Sequence, residues 1–569
     1  MNSENKNCQN CKNDFIIESE DFSFYEKIKV PAPTFCPECR FKQRYAFRNN
    51  IILHKGKCDL CQKNIVSMYS EDKTFSAYCR ECFYGDNWDQ EKYGIELDFS
   101  KSFFAQLSEL LKSAPRMSLI GVGKVNSDYA NHVTNVKNVY LSFSVGASED
   151  CYFMGPQCVG DKNCSSCSMT RNSEWSYMLI DCEHCYKTAF SQNCANCIDS
   201  LFLYDCRNCS DCIGCVNLRN KSYCIFNEQY SREDYLKIKE NLQLNTYEGF
   251  NKFKEDFHIF QSKFPKKYAV LENTQNCTGN YILNSKNCKE CFVAFDSEDT
   301  KYGFVCNGAK NCMDVSHTYP NSENCYFAQA PIESNNVYFS SFIYSNCYDV
   351  FYSDNCYSSN NLFGCVGLRN KQYCILNQQY SKEEYFELVE KIKNHMSEMP
   401  YVDKKGRVYK YGEFFPSELS PFGYNETPLQ DYFPLIKEDA LAQGYNWKDL
   451  EDKKYVLDIL NSDLSKIVNH DFNVNSIIEC SHKGKCLHNC IGSFRVLPDE
   501  LNIFKTLNIF IPDTCHNCRN AERINARNPL KLWARKCMKE GCSNEFETSY
   551  SPERTDIIYC EKCYQQEVY

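Results

Sequence analysis

The chain's cysteines fall into short pairs, and the pairs repeat from one end to the other with fixed spacing. Cys8 and Cys11 are followed after 24 residues by Cys36 and Cys39; then, 18 residues on, Cys58 and Cys61 are followed after 17 by Cys79 and Cys82. Towards the other end, Cys486 and Cys490 precede Cys515 and Cys518 by the same 24. After another spacer of 18, Cys537 and Cys542 precede Cys560 and Cys563 by the same 17. Four thiolates offered as two close pairs suit tetrahedral zinc, which takes sulfur ligands and has no redox chemistry. Modules this short cannot bury an adequate apolar core, so metal would supply much of their folding free energy. A set of four thiolates is closed, so about four structural zinc ions per chain are expected, and no catalytic one. The alternative is unliganded buried thiols or redox pairs. In the third set, "ECSHKGKCLHNC" also offers Cys480, His482 and His488, which leaves its first ligand open.

This reading presupposes reduced thiols. The opening "MNSENKNCQNCKNDF" has neither a basic n-region nor an apolar h-region. No apolar run approaches the ~18 residues of a membrane-spanning helix. The expectation is a cytoplasmic protein, where 40 cysteines point to metal before disulfides. With 569 residues, 43% hydrophobic and 15% aromatic, the chain has the composition of several folded domains. Its net charge of -10 disfavours nucleic-acid binding through the whole surface, but not through a local basic face.

Such a face is written twice. In "CPECRFKQRYAFRNN" an arginine stands at every fourth position, Arg40, Arg44 and Arg48, and in "CHNCRNAERINARNP" the same holds for Arg519, Arg523 and Arg527. Four-residue spacing without Gly or Pro puts each trio on one helical face. A cysteine pair, a hairpin, and a second pair opening a helix follow one another as in a treble clef. The Cys8/Cys11 pair, Phe15, "FYEKIKVPAP" and "CPECR" resemble the bacterial probable zinc-ribbon domains over about 45 residues. The likeness is weaker over 486–528, where "CHNC" replaces "CPEC". Residues 58–82 and 537–563 are similar to a shorter zinc ribbon, and the whole chain resembles uncharacterised bacterial multi-zinc-ribbon proteins. The resemblance implies zinc and carries no activity.

Residues 129–380 hold 23 further cysteines, among them Cys197, Cys206, Cys215 and Cys224, matched by Cys347, Cys356, Cys365 and Cys374 at a constant shift of 150. The closing stretches "GCVNLRNKSYCIFNEQYSREDY" and "GCVGLRNKQYCILNQQYSKEEY" repeat as well. Steps of 9 to 13 residues, Asn or Asp before Cys and aromatic or β-branched residues after it predict a duplicated parallel β-solenoid. Asn and Asp turn the corners and cysteine stacks inward, mainly as a small buried hydrophobe. "CRNCSDCIGC" is the one stretch dense enough to aim four thiols at a metal. Spacing alone leaves the coil length open. Ser231 with Asp234, and Ser381 with Glu384, read as capping boxes opening helices that cover solenoid ends or faces.

The chain thus divides into a treble-clef zinc module (1–57), a short zinc ribbon (58–95), a helical connector (96–128), one solenoid half (129–230), a helical segment (231–272), the second half (273–380), a helix with an irregular region (381–479), a second treble-clef module (480–530) and a second short ribbon (531–569). The class is mainly β and multidomain. No phosphate loop, His-Glu-x-x-His or Gly-x-Ser-x-Gly is present. The function expected is that of a zinc-stabilised binding or scaffold protein, with RNA or DNA, or a protein, meeting the arginine-bearing helices. The alternatives are a β-solenoid enzyme acting on a carbohydrate or similar polymer, pairing of the arginines with the chain's own carboxylates, and cysteine-based metal storage.

Overall fold

In the cysteine-rich middle every third residue has a positive φ: Asn193, Asn196, Asp199, Phe202, Asp205, Asn208 and Asp211 run unbroken between 45° and 56°. The residue before each corner pairs in parallel with the one twelve positions on, as in Gln192 with Tyr204, Ala195 with Arg207, Ile198 with Ser210 and Leu201 with Ile213. The residue after each corner (Cys194, Cys197, Ser200, Leu203, Cys206, Cys209) is buried. The coil is therefore a quadrilateral of four three-residue sides. The nine-residue cysteine step visible in the sequence connects inward positions three sides apart; the stacked neighbours are those twelve apart, such as Cys182, Cys194 and Cys206.

A left-handed corner costs an ordinary L-residue about 1–2 kcal/mol and costs Asn and Asp less, which explains their enrichment there. Stacked amides add support: Asn196 Nδ2 donates to Asn208 Oδ1 (3.1 Å), and Asn208 Nδ2 to Asn220 Oδ1 (3.0 Å). Inside, thiols serve as small hydrophobes with a weak donor, as where Cys206 Sγ donates to the carbonyls of Tyr204 (3.6 Å) and Cys215 (3.5 Å). Burial pushes the Cys158 thiol up to about 12, so that group stays protonated and unreactive.

The computed structural model describes residues 2–449, 455–467 and 471–569. Residues 450–454 and 468–470 of the segment read as a helix with an irregular region lie outside the described residues. The architecture is mainly β, with two solenoid halves and short hairpins towards both ends. It resolves into two compact units, each discontinuous in sequence: Met1–Ser118 with Ala269–Gln430 and Leu435–Lys448, and Leu119–Tyr268 with Asp431–Pro434 and Asp449–Tyr569. The first unit joins the N-terminal cysteine modules to the second solenoid half; the second joins the C-terminal modules to the first half. Each pair of terminal modules therefore packs with the solenoid half farther from it in sequence.

Covering helices are exchanged too. In the first unit helix Phe103–Ser113 lays Phe103 against Phe363 (5.2 Å between centroids), and in the second, helix Tyr247–Gln261 lays Phe253 against Phe226 (5.0 Å). Beneath each ring a corner is glycine. A Cβ on Gly364 (φ 69°) would sit 2.6 Å from Phe103 Cζ, and one on Gly214 (φ 67°) 2.9 Å from Phe253 Cζ. Helices Arg232–Asn241 and Lys382–Glu398 follow the closing repeats as expected. Ser381 and Glu384 form the full capping box, whereas Ser231 Oγ accepts from Asp234 N (3.1 Å) without the return bond.

Candidate metal centres

Each cluster is built from a hairpin and a helix start. Strands Glu4–Asn7 and Asp14–Ile17 pair antiparallel, and their turn carries Cys8 and Cys11. Cys36 is the N-cap of helix Pro37–Tyr45, which carries Cys39 one turn in. Strands His54–Lys57 and Asn64–Ser67, with helix Arg80–Tyr84, place Cys58, Cys61, Cys79 and Cys82 in the same way. So do strands Trp533–Lys536 and Glu545–Thr548, with helix Glu561–Val568, for Cys537, Cys542, Cys560 and Cys563. The first cysteine pair thus sits inside the hairpin rather than ahead of it.

Two contacts recur in all four clusters. The backbone N–H of the third cysteine donates to the first sulfur at 3.3 Å: Cys36 to Cys8, Cys79 to Cys58, Cys515 to Cys480 and Cys560 to Cys537. The second and third sulfurs stand 3.7 Å apart for Cys11 and Cys36, 3.9 Å for Cys61 and Cys79, 3.9 Å for Cys490 and Cys515, and 4.0 Å for Cys542 and Cys560. These contacts mark the first sulfur of the third set. It is Cys480, which follows strand Ile478–Glu479 as Cys8 follows Glu4–Asn7.

The four donors gathered there are Cys480, Cys490, Cys515 and Cys518; the expectation of Cys486 in the first place is corrected. Seven extra residues in the turn defeated the spacing argument, and the usable signal was the short β run "SIIE" directly before Cys480. His488 lies outside this set, and among the described residues the solenoid cysteines form no such group. On this geometry Cys480→Ser should remove one of four firmly held ions per chain, as Cys8→Ser should. Elemental analysis after passage through a weak chelator reads the count.

The second set holds a lowered thiol beside raised ones at Cys79 and Cys82. Burial raises the Cys58 thiol, but the N–H groups of Cys61, Cys79 and Leu60 outweigh it and bring it down to about 7. The thiolate is the form that ligates metal.

The arginines are not a ligand face. Arg40, Arg44 and Arg48 are 2%, 1% and 1% exposed, and Arg519 and Arg523 2% and 1%. Within the first unit Arg40 Nε donates to Asp314 Oδ2 (2.8 Å) and Arg44 Nη1 to Asp314 Oδ1 (3.2 Å); Arg44 Nε also donates to Ser316 Oγ (3.2 Å). Arg48 lies beyond the end of helix Pro37–Tyr45 and donates from Nε to Asn50 Oδ1 (2.7 Å). Within the second unit Arg519 Nη1 donates to Glu500 Oε1 (2.6 Å), Arg523 Nε to Ser168 Oγ (2.8 Å) and Arg527 Nε to Asp181 Oδ2 (2.9 Å). Arg523 is pushed down to about 10 by burial and by Arg519.

The expected phosphate-tracking strip is thus corrected to an internal one, which fastens each metal module to a solenoid wall. Asp21, on the helix before this module's second cysteine pair, is taken instead by Lys301 Nζ at 2.7 Å. Asp314, Ser316, Glu500 and Asp181 were missed because nothing in their local sequence marks them.

Together the fold and the clusters define a β-solenoid protein with four four-cysteine sets, each able to hold a metal ion. No protein-family model matches the chain, and no curated protein matches it. No described helix is long and apolar enough to cross a membrane.

Proposed function

We propose that this is a cytoplasmic scaffold or binding protein in which four structural zinc ions lock treble-clef and ribbon modules onto two solenoid walls. The carrying observation is the size of the sulfur sets. Zinc–sulfur bonds of about 2.3 Å in a tetrahedron require sulfur–sulfur edges of roughly 3.8 Å. Edges of 3.7, 3.9, 3.9 and 4.0 Å, one from each set, match that cage. Four thiolates leave no position for substrate, so the role of the metal is structural. Cobalt substitution tests this reading: four equivalents should develop tetrahedral, thiolate-rich spectra, and octahedral spectra would defeat it.

One observation favours the enzyme reading. A cleft of about 710 Å³ in the second unit is lined by Asp128, Asp150, Asp499, Tyr129, Tyr152 and Trp175, among others. Two of the carboxylates are already engaged: Asp150 Oδ1 accepts from Asn138 Nδ2 (2.7 Å) and Asp499 Oδ2 from Tyr152 Oη (2.9 Å). Release of reducing ends from a polysaccharide, abolished by Asp128→Asn, would establish that reading in place of the scaffold.

A further inference from the structure

The third centre has one thiol too many. Cys486 stands outside its four-cysteine set, yet its sulfur is 3.7 Å from that of Cys518, the edge length found inside the sets. The imidazole of exposed His482 joins them, and one donor atom from each of His482, Cys486 and Cys518 lies within 4.8 Å of the other two. Among the described residues the other three centres have no such companion group. The loop between Cys480 and Cys490 brings both extra donors: nine residues intervene there, where two separate Cys8 from Cys11. It turns through Lys483 (φ 49°) and Gly484 (φ 75°), which carry His482 and Cys486 to the same side of Cys518.

We propose that His482, Cys486 and Cys518 hold a further zinc ion, with Cys518 Sγ bridging it to the ion of the third centre. The inference rests on reading the four-cysteine sets as zinc centres. A thiolate sulfur has lone pairs enough for two metals. Charge favours the arrangement: one zinc with four thiolates carries a formal minus two, and a second zinc with one more thiolate and a neutral imidazole lowers this to minus one. Two sulfurs and a nitrogen fill three positions of a tetrahedron, so water takes the fourth. This ion is the exchangeable one, because its shell is open and His482 is exposed, whereas the four-thiolate shells are closed.

The test is metal content of the full chain, gel-filtered from zinc-supplemented buffer and again after a weak chelator. Five zinc ions per chain falling to four are expected for the wild type, and four under both conditions for Cys486→Ser. His482→Ala should lose the fifth ion more readily than the wild type. Four ions in supplemented wild type overturn the inference, as does a fifth ion that Cys486→Ser retains, which is then adventitious. A drop from four to three in Cys486→Ser also overturns it by making Cys486 a ligand of the single ion. Fewer than four in the wild type would instead defeat the zinc-centre reading itself.

Discussion

Asp314→Ala should destabilise the first unit by about 3–5 kcal/mol, because removing one partner of a buried ion pair leaves uncompensated charge. Here a single carboxylate, itself fully buried, serves two buried guanidiniums, Arg40 at 2.8 Å and Arg44 at 3.2 Å. At about 1.6 °C per kcal/mol for a unit of nearly 300 residues, the unfolding midpoint should fall by roughly 5–8 °C. Hydrogen exchange should accelerate first in helix Pro37–Tyr45, which the two arginines tie to strand Lys310–Thr318. Asp314→Asn keeps the shape and removes the charge, so it should show most of the effect. A loss below about 1 kcal/mol would mean that the arginines are held by packing alone.

Metal removal should have the larger effect. Structural zinc supplies apparent binding free energies of about 10–16 kcal/mol, which in small modules are folding free energy. A strong chelator under reducing conditions should release helices Pro37–Tyr45 and His516–Ala526 from their solenoid walls. In the first unit that uncovers Tyr326 and Phe327, buried at 0% exposure, and strands the Asp314 carboxylate without its cations. The expected readouts are binding of an apolar dye and rapid proteolysis within 1–118 and 480–569. Modules of independent stability would instead be digested away and leave soluble solenoids that bind no dye. The shared buried ion pairs argue against that independence.

Much of this was legible in the sequence because the signals were local. Fifteen of the sixteen clustered cysteines follow from spacing, the solenoid from Asn or Asp beside Cys, and the helix starts from Ser231 and Ser381. What escaped was either sparse or distant. Cysteine fills only some inward positions, so the twelve-residue coil is masked by nine-residue steps until the pairing of Ala195 with Arg207 is seen. The arginine rows read as exposed because their counter-charges lie far away in sequence: Asp314 is 274 residues from Arg40, and Asp181 is 346 from Arg527. The exchange of modules between solenoid halves is long-range packing, which local pattern does not encode. Cys480 was legible only as an alternative, because the inserted loop moved it out of register while leaving Cys486 at a plausible spacing.

The most direct test of the account is the number of firmly bound metal ions in the reduced, folded chain. After gel filtration and a weak chelator, elemental analysis should give four zinc ions per chain. Each should be lost singly on serine replacement of Cys8, Cys58, Cys480 or Cys537, the four sulfurs that accept the 3.3 Å backbone hydrogen bond. Fewer than four ions in folded protein would contradict the account, because a module would then hold its place on its solenoid wall without metal.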